Sequence, residues 1–219
     1  MLQGTRARIS VWGIPNVNYN SESAVFIAVW NENNGNYYSM VAGFHTANDT
    51  TVCYSTICQG FVVSNVSGAP VPGGKVAPLS TFNGKDYFVT LSIKKDEKTQ
   101  DWSLYRDDNN NPILIGWWPK ALFNKTFDYA TKIIWAGGVM YHQNETSPSM
   151  GSGHIGCEGA NKAAYISNIK IFNELGQIAD PYVINDITDR YDCFTTSGVK
   201  YSSGKAYNFF YGGPAVCNN

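Results

Sequence analysis

Short runs of alternating apolar and polar residues recur along this chain, and this is the pattern of β-strands that bury one face. The clearest run covers residues 87–93, where the odd-numbered positions from Tyr87 to Ile93 would face a core and the even-numbered positions the other side. A charged turn at 94–98 and a second apolar run at 102–106 complete a predicted hairpin. Further strands are predicted at residues 7–12, 24–30, 37–44, 60–66, 133–141 and 163–172.

One segment, residues 119–134, breaks this alternation. Pro119 suits a first helical turn, and Phe123, Phe127, Ala130 and Ile134 follow at the spacing of one helical stripe. We therefore predict a single helix within 119–134. Many short strands with one helix indicate an all-β sandwich or closed barrel, and residues 1–219 read as a single domain.

Composition narrows the class of protein. The chain is 43% hydrophobic and 15% charged, which is typical of a globular domain with an ample core. Its net charge of −1 gives no reason to expect nucleic acid or an anionic membrane as partner. No apolar run approaches the ~20 residues that cross a bilayer. The first residues lack the apolar core of a signal peptide, so we expect any export signal to have been removed.

The five cysteines indicate whether the protein is secreted or cytosolic. Cys53 and Cys58 have the spacing of a short staple, while Cys193 and Cys217 flank a tyrosine-rich stretch and could tie down the tail. We predict the disulfides Cys53–Cys58 and Cys193–Cys217, with Cys157 free, and a secreted chain. The alternative is five reduced thiols in a cytosolic protein. Sequons that permit but do not require a glycoprotein occur at Asn48, Asn65, Asn124 and Asn144.

Most familiar catalytic constellations are missing from the sequence. It has no phosphate-binding loop and no dinucleotide fingerprint, and its three histidines are far apart and lack metal-ligand spacing, so we expect no cofactor and no metal. Ser152 does not lie in a nucleophile elbow. Carboxylates and aromatic residues remain, and they suit a peptide, glycan or small-molecule cleft. Trp12, Trp30 and Trp135 fit either that cleft or the core.

Several motifs resemble those of the neprosin family of plant glutamic peptidases. The first is a C-Y-x-x-x-C-x-G-F-V segment that begins at Cys53. Others begin further along the chain, and they are P-L-S-x-F at Pro78, G-W-W-P-x-x-L-F at Gly116, M-G-S-G-H at Met150, E-G-x-x-K-A-x-Y-x-x-N at Glu158 and F-Y-G-G-P at Phe210. The resemblance covers the chain from about residue 53 to its end, and the first fifty residues match more loosely.

This resemblance implies a fold and a reaction. Neprosins are secreted peptidases with a sandwich of two antiparallel sheets, and they favour cleavage after proline. Two glutamates face each other across a cleft, where one activates water and the other protonates or stabilises the reacting amide. The resemblance therefore predicts an extracellular or apoplastic sandwich of two antiparallel sheets. We also expect a monomer with one short helix and a peptide or small molecule as its ligand.

The two glutamate positions differ in this chain. Glu22 is the best match for the first, at the cost of a one-residue insertion, whereas Gly138 occupies the place of the second in Trp-Ala-Gly-Gly-Val. Ala136, Gly156 and Cys157 also depart from the family pattern. The lost carboxylate would cost a general acid or base that usually contributes about 10²–10⁴-fold. We place Trp135, Tyr141, His142, Cys157 and Glu158 in the predicted cleft.

Three functional hypotheses follow. The first is a non-proteolytic domain that keeps the cleft to bind peptides or small molecules. The second is a repurposed enzyme that acts on a plant small molecule through Glu22, His142, Cys157 or a cleft tyrosine. The third is a residual post-proline peptidase in which water, Glu145 or Glu158 assists Glu22. Two of these residues have simpler interpretations: Cys157 is compatible with a small buried hydrophobe, and Glu158 with either an exposed loop carboxylate or a partner of Lys162.

Overall fold

The computed structural model describes residues 1–14, 17–18, 21–33, 35–47, 59–109, 111–123, 127–202 and 206–215. In this part of the chain the regular elements are strands and two short 3₁₀-helices, at Lys120–Phe123 and Gly156–Glu158. The strands are β1 (Gly4–Ser10), β2 (Glu22–Asn33), β3 (Asn36–Ala47), β4 (Val62–Val63), β5 (Phe88–Lys95), β6 (Trp102–Arg106), β7 (Ile113–Trp118), β8 (Lys132–Met140), β9 (Ala164–Phe172), β10 (Ile178–Ala179), β11 (Thr195–Thr196), β12 (Lys200–Ser202) and β13 (Ala206–Gly212).

The strands form two antiparallel sheets, which confirms the predicted all-β sandwich. The large sheet has the order β11-β13-β9-β1-β5-β6-β7-β4, with β10 added to β9 and β12 to β13. The small sheet has the order β3-β2-β8. One core cluster joins them, since Ile9, Ile93 and Ile166 of the large sheet pack in it together with Ile27 and Val29 of β2. No helix in the described ranges is long and apolar enough to cross a membrane.

The alternation of buried and more exposed side chains along β2 explains how the small sheet packs against the large one. Val25, Ile27 and Val29 are at most 6% exposed and face the core. Glu22 and Ala24 occupy the intervening positions and therefore lie on the opposite face, which we call the outer face. Residues paired across neighbouring strands share a face, so the register of β2 decides which side chains meet there.

The predicted hairpin of β5 and β6 is confirmed, and Leu91 pairs with Arg106. The second face of β5 is less exposed than alternation suggests, since Thr90 and Ser92 are 1% and 3% exposed. An ion pair helps to account for this, because Arg6, which pairs with Ser92 across the strands, donates from Nε to Asp107 Oδ2 at 2.6 Å. The two side chains of the ion pair are only 8% and 12% exposed.

The predicted helix within residues 119–134 is wrong. A four-residue 3₁₀-helix ends at Phe123, and β8 begins at Lys132. Phe123, Phe127 and Ala130 are buried as the stripe required, at 8%, 3% and 1% exposure, but Phe123 ends the 3₁₀-helix, and Phe127 and Ala130 lie outside any helix. Phe127 is fixed by its ring contact with Trp102 at 5.1 Å and by its carbonyl, which accepts a hydrogen bond from Trp102 Nε1 at 3.1 Å.

We expect Asp107→Ala to lower the free energy of unfolding by about 1.5–3 kcal/mol, because it removes the buried carboxylate that accepts a hydrogen bond from Arg6 Nε. Chemical denaturation of the purified domain measures this loss. Asp192→Ala is the control, because Asp192 pairs with Arg190 at 2.9 Å with a carboxylate that is 64% exposed. It should leave the unfolding midpoint nearly unchanged. Equal effects of the two substitutions would contradict a stabilising role for the buried pair.

Candidate functional site

Both glutamate positions of the predicted site lie on the outer face of the small sheet. Glu22 is on β2, and position 138 is on β8, which pairs with β2. Ala24 pairs with His45 of β3 on one side and with Gly138 of β8 on the other. Glu22 lies two residues along β2 and pairs with Met140. Glu22, His45 and position 138 therefore share one face, and Glu22 is a diagonal neighbour of each of the other two.

Glu22 is engaged by a histidine that the sequence analysis missed. Its Oε1 lies 3.0 Å from Nδ1 of His45, and the two side chains are 14% and 33% exposed. Hairpin register could have identified His45 from the sequence. Strands β2 and β3 form a hairpin, and the pair Asn33–Asn36 beside its turn determines all the other pairs between the two strands. That register places His45 directly beside Ala24, one diagonal step from Glu22.

Gly138 leaves open space where a side chain would stand. A Cβ built there meets, within 4 Å, only Cε1 of Phe26, at 3.8 Å, which is an ordinary van der Waals contact. Phe26 lies on the same face of β2. The sheet could therefore hold a glutamate at position 138 beside Glu22 without moving its backbone.

The neighbouring Gly137 faces the opposite way and has no such space. A Cβ on Gly137 would lie 2.2 Å from Cε2 of Tyr211, so the tyrosine ring covers the backbone of β8 on the inner side. Tyr211 is 4% exposed, and burial raises the pKa of its hydroxyl above the usual range. The two glycines therefore have different roles. The missing side chain at Gly137 lets the Tyr211 ring pack against the backbone, and the missing side chain at Gly138 leaves open space on the outer face.

A small pocket lies beside the end of the hairpin of β2 and β3, and Ala24 and His45 contribute to its lining. Trp12, Ser23, Phe44 and Tyr211 are among the residues that line it, and its volume is about 20 Å³. Nε1 of Trp12 and Oγ of Ser23 are buried there without a hydrogen-bond partner. A space of this size holds about one water molecule. Phe44 alternates with His45 along β3 and therefore lies on the opposite face of the small sheet from Glu22.

The other residues placed in the predicted cleft lie in three locations. Trp135 packs against the core and donates from Nε1 to Thr5 Oγ1 at 2.9 Å. Tyr141 and His142 follow the end of β8, and His142 is exposed. Glu145, which the residual-peptidase hypothesis gives a helping role, lies in the turn after them, where its backbone N–H donates to the His142 carbonyl at 3.1 Å.

Cys157 and Glu158 lie in the second 3₁₀-helix, Gly156–Glu158. Glu158 Oε1 is 3.1 Å from Nδ1 of His154, so its partner is this histidine rather than Lys162. The His154 ring stacks on Phe82 with a centroid distance of 4.2 Å. Cys157 is a free and exposed thiol, and the interpretation of this residue as a buried hydrophobe is wrong.

Several sequence-based expectations fall outside the described residues. Cys53, Cys58 and Cys217 are among them, so both predicted disulfides stay predictions. The sequon residues Asn48 and Asn124 are also outside, whereas Asn65 and Asn144 are described and exposed. Within the described ranges, no group of three or more histidine, cysteine, aspartate or glutamate residues is placed to hold a metal ion.

The fold and this face define the class: an antiparallel β-sandwich that carries a glutamate on the outer face of its small sheet. The model of the Neprosin family matches residues 6–214, which is nearly the whole chain. The chain belongs to the neprosin family. The match includes the region of Glu22 and the Trp135–Val139 segment, and also the first fifty residues, where the motifs alone were less informative.

The two neighbouring glycines provide a matched test of the geometry. We expect Gly137→Ala to destabilise the domain by about 1–3 kcal/mol, because the rigid ring of Tyr211 must move. We expect Gly138→Ala to change the stability by no more than about 0.5 kcal/mol, because its Cβ enters open space. Chemical denaturation of both variants measures the difference. A larger loss for Gly138→Ala would mean that β8 presents the opposite face.

The cysteine assignment is testable without a structure. We expect peptide mapping of the unreduced protein to find the links Cys53–Cys58 and Cys193–Cys217. One thiol, that of exposed Cys157, should react with iodoacetamide before any denaturant is added. A link that includes Cys157 would overturn both the pairing and the argument for an oxidising compartment.

Proposed function

We propose that this domain is a diverged member of its family that does not cleave peptides by the two-glutamate mechanism. It keeps the outer face of β2 and β8 as a binding surface for peptides or small molecules. The domain acts as a secreted monomer, in keeping with the family to which it belongs. The supporting observation is the empty position at Gly138, on the same face as Glu22 and one diagonal step away.

The chemistry explains why one absent side chain changes the function. Peptide hydrolysis needs a base for the attacking water and an acid for the departing amine, and the two act on different sides of the scissile bond. A glycine supplies neither group in any protonation state. Glu22 alone can accept a proton from water, but position 138 supplies no group to donate one to the amine.

Acid-pH cleavage of a proline-containing peptide is the first test. We expect the wild-type rate to be lower by at least ~100-fold than that of a relative with both glutamates. Gly138→Glu should raise the rate, because the open space at Gly138 lets the new carboxylate stand beside Glu22. Gly138→Gln is the matched control, since it has the same shape without the ionisable group, and it should not raise the rate.

The outcomes separate the hypotheses. Efficient post-proline cleavage by the wild-type chain, abolished by Glu22→Gln, would overturn the proposal in favour of a residual peptidase. Binding is measured on the same peptide by calorimetry and by backbone amide chemical shifts. The proposal requires shifts on the outer face of β2 and β8, around Ala24 and Gly138. Shifts confined to the region of His154 and Phe82 would place the ligand elsewhere and contradict it.

A further inference from the structure

We propose that β8 binds its ligand by strand addition: an extended peptide pairs in antiparallel orientation with the free edge of β8 and becomes the fourth strand of the small sheet. The inference rests on the proposed function, because it names the form in which a peptide binds beside Gly138. It goes further by assigning the contacts to the backbone of β8 and to the side chain of Lys132. The class of ligand is an extended peptide with a carboxylate at its C-terminal end.

One edge of β8 has no partner in the part of the chain that the structure describes. The order of the small sheet is β3-β2-β8, so β8 pairs with β2 on one side only. Among the described residues, no other backbone hydrogen bond involves residues 132–140. Every side chain from 133 to 139 is half-buried, whereas Val25, Ile27 and Val29 of the central strand are buried. The second edge of β8 is therefore open to a further strand.

The backbone bonds of β2 show which groups of β8 point to this open edge. The N–H and C=O groups of one strand residue point to the same side, and successive residues alternate. The Trp30 carbonyl accepts a hydrogen bond from Thr131 N–H at 2.8 Å, and Glu32 N–H donates to Thr131 Oγ1 at 3.3 Å. The even-numbered residues of β2 thus face β8, where they pair with even-numbered residues. The odd-numbered residues from Ile133 to Val139 therefore present their N–H and C=O groups to the open edge.

The sequence of β8 leaves this edge unprotected. Exposed edge strands are usually interrupted by charged residues, prolines or bulges, which prevent another strand from pairing with them. Residues 133–139 contain no charged residue and no proline, and the pairing of β8 with β2 has no register shift. An extended peptide can therefore form a continuous ladder of backbone hydrogen bonds along β8. The nine residues of β8 span about 30 Å, so a peptide of about the same length fills the edge.

Lys132 gives the added strand a direction. It is the first residue of β8, it is exposed, and it forms no ion pair with a described residue. In an antiparallel pair, the C-terminal end of the peptide lies beside the N-terminal end of β8. The terminal carboxylate of the peptide then lies close to the ammonium group of Lys132. Charge complementarity favours this orientation, because a parallel strand would bring its positively charged N-terminus to the same place.

Gly138 sets a preference at one position of the peptide. Directly paired residues of neighbouring strands share a face, so the peptide residue opposite Gly138 directs its side chain to the outer face. The open space there is bordered by Phe26, whose Cε1 is 3.8 Å from a Cβ built at position 138. A large aromatic side chain of the peptide can lie over the glycine and contact the Phe26 ring. We therefore expect phenylalanine to be preferred over alanine at this position.

Hydrogen exchange of backbone amides tests strand addition directly. The probe is the nine-residue peptide acetyl-Lys-Val-Phe-Val-Thr-Val-Thr-Val-Thr with a free C-terminal carboxylate, which places its phenylalanine opposite Gly138. In the saturated complex, four amides of β8 should exchange at least ~10-fold more slowly than in the free protein, namely those of Ile133, Trp135, Gly137 and Val139. The even-numbered amides between them bond to β2 in both states, so their exchange should change less.

Two matched comparisons, measured by calorimetry, test individual contacts. N-methylation of the peptide valine opposite Gly137 removes an N–H that points to β8, and it should weaken binding by about 10-fold. N-methylation of the threonine that follows removes an N–H that points to solvent, and it should change the affinity by less than about two-fold. Lys132→Gln should lower the affinity by about three-fold, to that of the C-terminally amidated peptide. The control is Lys200→Gln, at an exposed lysine of the large sheet, which should have no effect.

The outcomes separate this inference from the proposed function. If the probe shifts the amides around Ala24 and Gly138 but leaves the odd-numbered amides of β8 unprotected, strand addition is refuted and the binding surface stands. Protection along β3 instead of β8 would overturn the inference. Protection of the odd-numbered β8 amides in the free protein would also overturn it, because the edge would already be covered. If neither the probe nor a proline-containing peptide binds, both proposals fail.

Discussion

The pairing of β2 with both of its neighbours is the constraint on which the rest of the site depends. As the central strand of the small sheet, β2 has every residue from Glu22 to Trp30 fixed opposite one residue of β3 and one of β8. A slip of one residue would turn Val25 and Ile27 away from the core, so burial of the inner face holds the register. The chemistry of the outer face follows from this, because the register places His45 and Gly138 on either side of Ala24.

The strands were the most predictable part of the fold, because burial of one face imposes a period of two. Strand β5, in which Val89, Leu91 and Ile93 face the core and alternate with Thr90 and Ser92, was recognised for this reason. Strand β7 was not, because its sequence from Ile113 to Trp118 is a run of apolar residues without alternation. The helix error has a related cause. Helical spacing of Phe123, Phe127 and Ala130 was enough to suggest a stripe, but Phe127 and Ala130 are buried without belonging to any helix.

The sequence predicted individual positions of the candidate site, but it did not predict which side chains meet there. The motifs identified Gly138, but they did not show that Gly137 receives the ring of Tyr211 while Gly138 faces open space. His45 carries no motif, and its contact with Glu22 depends on hairpin register, which is a property of two strands together. Cys157 and Glu158 were grouped with Glu22 because of the sequence motifs in which they occur, and motifs do not show which side chains meet in space. In the fold, Glu158 instead contacts His154.

The central claim is that position 138 and Glu22 lie on the same outer face, close enough for two carboxylates to act together. A crystal structure of the Gly138→Glu variant tests it most directly. The account predicts an unchanged backbone and an introduced carboxylate on the outer face, with the Cβ at position 138 within about 8 Å of the Cβ of Glu22. An introduced side chain directed inward against Tyr211, or a shift of β8 by one residue relative to β2, would contradict the account.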